Sequence, residues 1–279
     1  LIVTVEASVP VSPSFTEPAV TVTAPDKVLP AAIDTGFIAA TDLEEMNKYA
    51  KLQTRIDRKY IVTPEVCNAL LANADVNGRV LEINTQRNTP YQSVYFETPN
   101  LDLHKAAAYR RRPRFKARTR YYKQTNTAML EVKTKDGRGK TVKSRTEYDP
   151  TTLDVLTEEA RQYITSIAGA AKIVNNLQYT LTTQYQRTTI VDLYTQTRIT
   201  CDEFLTCTDW ENNTLSFPMI ILETKSSQHP SPFDVWLWNN RHRPNRISKY
   251  CTTLAVLHPD LPSNKWHQTI KNYYPAPVS

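Results

Sequence analysis

The chain has 279 residues, 40% of them hydrophobic and 22% charged, with 34 Lys plus Arg against 28 Asp plus Glu, a formal net charge of +6 and a pI near 9.0. These proportions fit a folded chain with a sizeable core and exclude a disordered one. Five glycines fall well below the ordinary share of about 7%, and no run of 18 apolar residues occurs, which disfavours glycine-rich nucleotide cradles and bilayer-spanning helices alike.

Residues 1–40 are rich in Val, Thr, Ala and Ser and are broken by Pro10, Pro13, Pro18, Pro25 and Pro30. That composition predicts a flexible or extended arm, with one folded domain over residues 41–279. The N-terminus lacks the basic-then-apolar pattern of a signal peptide, and the sequence begins at Leu1 rather than Met, which leaves room for an upstream segment. The pattern then predicts a short helix over 42–52, a strand over 55–62 and a second helix opened by Thr63-Pro64-Glu65. Alternating runs predict strands over 92–98, 115–123, 128–135 and 140–148, the last two joined across Asp136-Gly137-Arg138-Gly139. A long amphipathic helix is expected from Thr157 to Val174, followed by strands over 177–191, 194–205 and 219–224. Residues 233–240 read as a helix, and 246–257 as a strand or a helix.

Successive side chains of a strand alternate between faces, so residues i, i+2 and i+4 share one. Arg114, Lys116, Arg118 and Arg120 therefore oppose Phe115, Ala117 and Tyr121. Glu131, Lys133 and Lys135 oppose Leu130 and Val132, while Lys143 and Arg145 oppose Val142. Arg198, Thr200 and Asp202 oppose Ile199 and Cys201, and Glu223 with Lys225 opposes Ile220 and Leu222. Two architectures satisfy this pattern. One is an antiparallel sheet with a wet face and a helix-covered face. The other is a barrel with helices outside, whose charged face becomes an enclosed basic tunnel that needs a polyanion to neutralise it.

Local motifs decide less. Gly139-Lys140-Thr141 lacks the first glycine of a P-loop, Thr134 standing in its place, and Gly137-x-Gly139 lacks the third glycine of a dinucleotide fingerprint. Cys67, Cys201, Cys207 and Cys251 show no C-x-x-C spacing and read as reduced core or strand residues. The five histidines have no triad or metal spacing and read as surface or loop residues. Glu223, two residues before Lys225, reads equally as a hard-metal ligand or as the ion-pair partner of a base; Glu131 beside Lys133 poses the same pair of alternatives.

An ordered series of short motifs carries a resemblance. It runs through Arg58-Lys59-Tyr60, Tyr95-Phe96-Glu97-Thr98, Lys116 to Tyr121, Leu130-Glu131-Val132-Lys133 and Val142-Lys143-Ser144-Arg145. It continues with Tyr185-Gln186-Arg187, Arg198 to Asp202, Leu222-Glu223-Thr224-Lys225 and Ser248-Lys249-Tyr250. Across residues 50–255 the series resembles the VTC domain, the polyphosphate polymerase branch of the CYTH-like triphosphate tunnel metalloenzymes. The resemblance implies an α+β fold built on a closed antiparallel β-barrel of about eight strands, with a basic tunnel and helices packed outside. It also implies an enzyme that transfers the terminal phosphate of ATP to a polyphosphate chain with the help of Mn2+ or Mg2+. The residues carried over as catalytic and substrate-binding are Lys59, Arg118, Arg120, Lys133, Lys143, Arg187, Arg198 and Lys249, with Arg145 and Lys225 as further phosphate contacts. Glu223, with Glu131, is carried over as the metal ligand. Where hydrolytic relatives begin with E-x-E-x-K, this chain has Arg55-Ile56-Asp57-Arg58-Lys59, which turns the expectation from a two-metal hydrolase towards a metal held mainly by Glu223. The alternatives are hydrolysis of inorganic or nucleoside triphosphates, and a module that binds polyphosphate without turnover. The expected partners are ATP and inorganic polyphosphate rather than nucleic acid, with no membrane insertion but room for a membrane-protein partner, and the expected compartment is the cytoplasm.

Overall fold

The computed structural model describes residues 32–49, 56–74, 76–139, 141–227 and 229–274. The N-terminal arm up to residue 31, the end of the helix expected over 42–52, and Arg55 lie outside the described residues. The chain enters the fold earlier than Thr41. Ile33 is buried, the Ala32 N–H donates to Glu203 at 2.8 Å, and Ala39–Thr41 (β1) pairs in parallel with Gly78–Leu81 (β3).

The architecture is α+β, a large sheet with helices. After β1 come Leu43–Tyr49 (α1), Ile56–Val62 (β2) and Pro64–Asn73 (α2); β3 is followed by Asn88–Glu97 (β4) and Asp102–Ala108 (α3). Arg114–Tyr122 (β5), Thr127–Lys135 (β6) and Thr141–Tyr148 (β7) form consecutive antiparallel neighbours. Glu158–Ala168 (α4) and Ala171–Val174 (α5) precede Gln178–Asp192 (β8), Arg198–Asp209 (β9), Thr214–Phe217 (β10) and Ile220–Ser226 (β11). Pro232–Asn239 (α6), Lys249–Leu257 (α7) and His267–Tyr273 (α8) complete the chain. The main path of the sheet runs β2-β11-β9-β8-β4-β5-β6-β7.

The alternation places apolar residues on the convex face, where helices cover them. Tyr60, Val62, Ile199, Cys201, Ile220 and Leu222 pack with Leu70 of α2 and with Phe233 and Leu237 of α6. Phe115, Ala117, Leu130 and Val132 pack with Ala160 and Ile164 of α4. These helices are fixed at their starts by local chemistry: Thr63 accepts the Val66 N–H, Thr157 the Ala160 N–H, and Ser231 forms a reciprocal capping box with Asp234. The single helix expected over 157–174 is two, because Gly169 takes φ +64 and closes α4 in the left-handed conformation. Residues 246–257, ambiguous in sequence, hold α7, capped by Ser248 on the Cys251 N–H.

Two expectations about the barrel are corrected. No ladder joins β7 to β2 among the described residues, so the sheet is open by its hydrogen bonds. The outer edge of β2 is instead taken by the segment before α7: the Asn245 N–H donates to the Lys59 carbonyl at 2.6 Å, and the Asn245 Oδ1 accepts the Ile61 N–H at 3.2 Å. Nor do all the helices lie outside. At one end of the concave face the residues turn apolar, with Ile61, Leu181, Leu205 and Ile221, and α7 packs on them through Tyr250, Cys251 and Leu254. The four cysteines are free and buried, as expected. His104, expected at the surface, is fully buried in α3, with Nε2 within 3.1 Å of the Pro262 carbonyl. No helix among the described residues is long and apolar enough to cross a membrane.

Candidate functional site

The odd-numbered residues of β2 and β11 and their cross-strand partners share the concave face, and the sheet curls enough for its two ends to sense each other. Burial lowers the pKa of Lys133 on β6, and Lys59 of β2 lowers it further, while Asp57 and Glu223 oppose the shift. Strands near opposite ends of the sheet order face one another, since Lys143 and Arg145 of β7 line the same cavity as Lys225 of β11. Beside them, Arg120, Lys143, Arg145, Arg187, Arg198 and Lys225 line one cavity of about 420 Å³.

Three carboxylates organise these bases. Glu131, 2% exposed, accepts from Arg118 Nε at 2.8 Å and Nη2 at 2.5 Å on one oxygen, and from Lys143 Nζ at 2.5 Å on the other. Arg120 Nε stands 4.0 Å away. Burial pushes the Glu131 carboxyl up, but Arg118, Arg120 and Lys143 more than reverse this and hold it well below the ordinary range. Asp202 receives a fork from Arg187, Nε at 2.6 Å and Nη2 at 2.8 Å, and also the Lys249 ammonium. It too stays ionised against its burial, through Arg187 and Lys249. Glu223 bonds Lys225 at 2.8 Å through Oε1, while Oε2 lies 4.0 Å from Lys59.

Tyrosine rings pack against the same cations. Tyr91 stacks on Tyr185 at 5.5 Å and meets Tyr122 edge-on at 5.2 Å. The Arg187 guanidinium lies 5.2 Å from the Tyr91 ring and 5.3 Å from that of Tyr185, and Arg120 lies 5.7 Å from Tyr91. Arg118 donates to the Tyr95 hydroxyl at 2.8 Å, and the Lys249 ammonium is 4.6 Å from the Tyr185 ring. The structure thus brings Lys59, Arg118, Arg120, Lys133, Lys143, Arg145, Arg187, Arg198, Lys225 and Lys249 to one concave face. Asp202 and the tyrosines were missed as site residues; their signal was their place on the same alternating face. Lys116 shares that face, but its ammonium turns to Ser248 Oγ at 3.1 Å and Cys251 Sγ at 2.8 Å at the start of α7.

The two carboxylates expected to hold a metal differ. Both oxygens of Glu131 are engaged by cations, so its role in this structure is the ion pair. Glu223 has one oxygen only loosely paired, and Asp57 lies on the neighbouring strand opposite Lys225. Hard oxygen donors, few in number and beside a cluster of bases, fit a divalent ion that would take the rest of its ligands from a bound anion and water. Asp209, Glu211 and His258 also cluster, but Asp209 accepts the Glu211 and Asn213 N–H groups and meets His258, which fixes the β9–β10 turn.

The family model for the VTC domain matches residues 54–258. No curated protein sequence matches the chain. Similar solved structures include a candidate adenylate cyclase from Bacillus halodurans, 13% identical over 81% of this chain and 92% of that one, with a TM-score of 0.41. A Pyrococcus horikoshii protein is 12% identical over 74% and 98%, with a TM-score of 0.43. A candidate adenylyl cyclase from Hippeastrum, described as having a dominant triphosphatase activity, is 13% identical over 71% and 94%, with a TM-score of 0.40.

Proposed function

The chain belongs to the VTC domain family, and from that premise we propose that it moves the terminal phosphoryl group of ATP onto the end of an inorganic polyphosphate chain. The observation that carries this reading is the convergence of bases from strands all round the sheet, and from α7, on one curled face where they outnumber the carboxylates. Such a face is stable with a dense polyanion in it, because guanidinium forks and ammonium groups pair with phosphate oxygens. On this reading the curled sheet is the wall of a tunnel, completed at the β2–β7 seam by side chains.

Phosphoryl transfer asks the protein mainly for alignment and charge neutralisation. Arg118, Arg120, Arg187 and Arg198 would clamp the phosphates, and Lys59, Lys133, Lys143, Arg145, Lys225 and Lys249 would supply further positive charge. A terminal phosphate oxygen of the acceptor attacks the γ-phosphorus in line; the bridging P–O bond breaks, and ADP leaves with its electron pair. Mn2+ or Mg2+ held by Glu223, with Asp57 as the weaker donor, would supply Lewis-acid neutralisation of the phosphate oxygens. ATP and reduced thiols coexist in the cytoplasm, which is the compartment this reading implies.

The test is to incubate the protein with ATP and Mn2+, resolve chains on a polyphosphate-stained gel, and assay free orthophosphate. Long chains with ADP support the polymerase; orthophosphate alone replaces it with a hydrolase; binding without turnover leaves a binding module. Glu223→Gln is expected to abolish metal-dependent turnover and spare polyphosphate binding. Loss of both in a folded variant would remove Glu223 from the assigned role.

A further inference from the structure

Glu131, Asp202 and Glu223 pair with the bases around them, but no carboxylate pairs with Lys116 among the described residues. Its position needs an anion. The β5–β6 ladder sets Lys116 directly against Lys133, an unfavourable place for like charges. Burial, then Lys116 and Arg114, bring the nearby Lys265 ammonium down to about 8, and Cys251 opposes them. The counter-ion at hand is therefore a sulfur. Lys116 Nζ is 2.8 Å from Cys251 Sγ and 3.1 Å from Ser248 Oγ. Cys251 is fully buried in the first turn of α7, where the helix N-terminus favours negative charge.

His104, fully buried on α3, completes the surroundings. Its Nε2 lies 3.1 Å from the Pro262 carbonyl. A carbonyl only accepts, so Nε2 carries the proton and Nδ1 is left as the basic atom of the ring, buried without a hydrogen-bond partner. Burial opposes ionisation of the Cys251 thiol, but Lys116 and His104 outweigh it and bring it down to about 6. The other groups coupled to the sulfur are Arg114 of β5, Glu97 at the end of β4, Tyr250 beside it on α7 and Lys265 ahead of α8. Burial pushes the Glu97 carboxyl up to about 8 and the Tyr250 phenol well above its ordinary range, so neither supplies the negative charge at neutral pH. Contact with Cys67 raises the Cys201 thiol, and burial pushes that of Cys207 up to about 11.

We infer that Cys251 is a thiolate and the fourth anion of the concave face, a positioning residue that holds Lys116 against α7 and out of the line of bases open to phosphate. This inference rests on the phosphate-binding reading and deepens it: Lys116 is in phase with Arg118 and Arg120 along β5, yet it is withheld from the ligand.

The experiment is ultraviolet titration of thiolate absorbance in the whole chain, joined to calorimetry with inorganic tripolyphosphate at neutral pH. The unaltered protein is compared with Cys251→Ser, Lys116→Met and the double variant. A thiolate band is expected at neutral pH that disappears as pH falls through about 6, is absent from Cys251→Ser, and titrates about one pH unit higher or more in Lys116→Met. Cys251→Ser is expected to bind tripolyphosphate about fivefold more tightly, because Lys116 then turns to the ligand. Lys116→Met should stay within about twofold of the unaltered protein, and the double variant should lose the gain. Absence of the thiolate, or an unshifted one in Lys116→Met, would overturn the ion pair whatever the calorimetry gives, and the Lys116→Met arm decides this without Cys251→Ser having to fold. A thiolate without tighter binding by folded Cys251→Ser would overturn the withholding of Lys116 and leave the phosphate-binding reading standing. Failure of the unaltered protein to bind tripolyphosphate would overturn that reading and, with it, the role given to Lys116.

Discussion

At the level of single residues, Glu131 shows how charge is balanced inside the lumen. Two bonded cations and a third at 4.0 Å surround one buried carboxylate, so Glu131→Gln leaves Arg118 and Arg120 repelling each other. With Lys143 substantially exposed and screened by solvent, the expected loss is about 2 kcal/mol, read as a lower Tm. Tripolyphosphate should restore much of it by taking over the anion's place. Lys225 and Lys143 give a second prediction. Burial lowers both ammonium groups to about 8, against the upward pull of Glu223 and Glu131 respectively. A lysine is charged below its pKa, so tripolyphosphate affinity should fall as pH rises through 8, and Lys143→Arg/Lys225→Arg should flatten the profile because guanidinium stays protonated. A profile of unchanged slope in the double variant would assign the titration elsewhere.

Among the elements, α7 links the apolar end of the concave face to the charged one. Its first residue, Lys249, reaches Asp202, its next two residues, Tyr250 and Cys251, pack with the core, and its cap, Ser248, is held by Lys116. Ser248→Ala removes the acceptor of the Cys251 N–H and should cost about 1 kcal/mol, seen as a Tm decrease. Because Lys249 starts from that cap, phosphate affinity should fall with it, whereas Thr157→Ala, the equivalent change on the outer helix α4, should lower Tm and leave affinity alone. The strands were legible as strands because period two is a strong signal when charge alternates with Val, Leu and Ile. In residues 246–257 two signals competed: Ile247, Tyr250, Cys251 and Leu254 fall at the helical spacing i, i+3, i+4 and i+7, whereas the β-branched Thr252, Thr253 and Val256 favour a strand. The break at Gly169 was missed because the apolar positions continue in helical phase on both sides of it.

For the molecule as a whole, folding and ligand are coupled. A sheet whose concave face gathers this many bases should gain about 2.7 kcal/mol of stability at a tripolyphosphate concentration of 100 times Kd, measurable as a thermal shift that shrinks with added salt. Linear polyphosphate should compete for that shift, and duplex DNA should not, because a curled face admits a single chain and not a double helix. Equal competition by duplex DNA would mean that the bases lie on an open surface.

The sequence alone determined which side chains share a face. Alternation is a property of the extended backbone and needs no tertiary information, so Arg118, Arg120, Lys133, Lys143, Arg198, Glu223 and Lys225 were grouped from spacing. It did not determine which carboxylate serves which base. Asp202 meets Lys249 across 47 residues of sequence, and only the curl of the sheet and the docking of α7 on its concave face bring them together. Closure was likewise a tertiary matter: the backbone groups of Lys59 and Ile61 on the β2 edge are bonded by Asn245, about 185 residues on in sequence, and no ladder to β7 forms among the described residues.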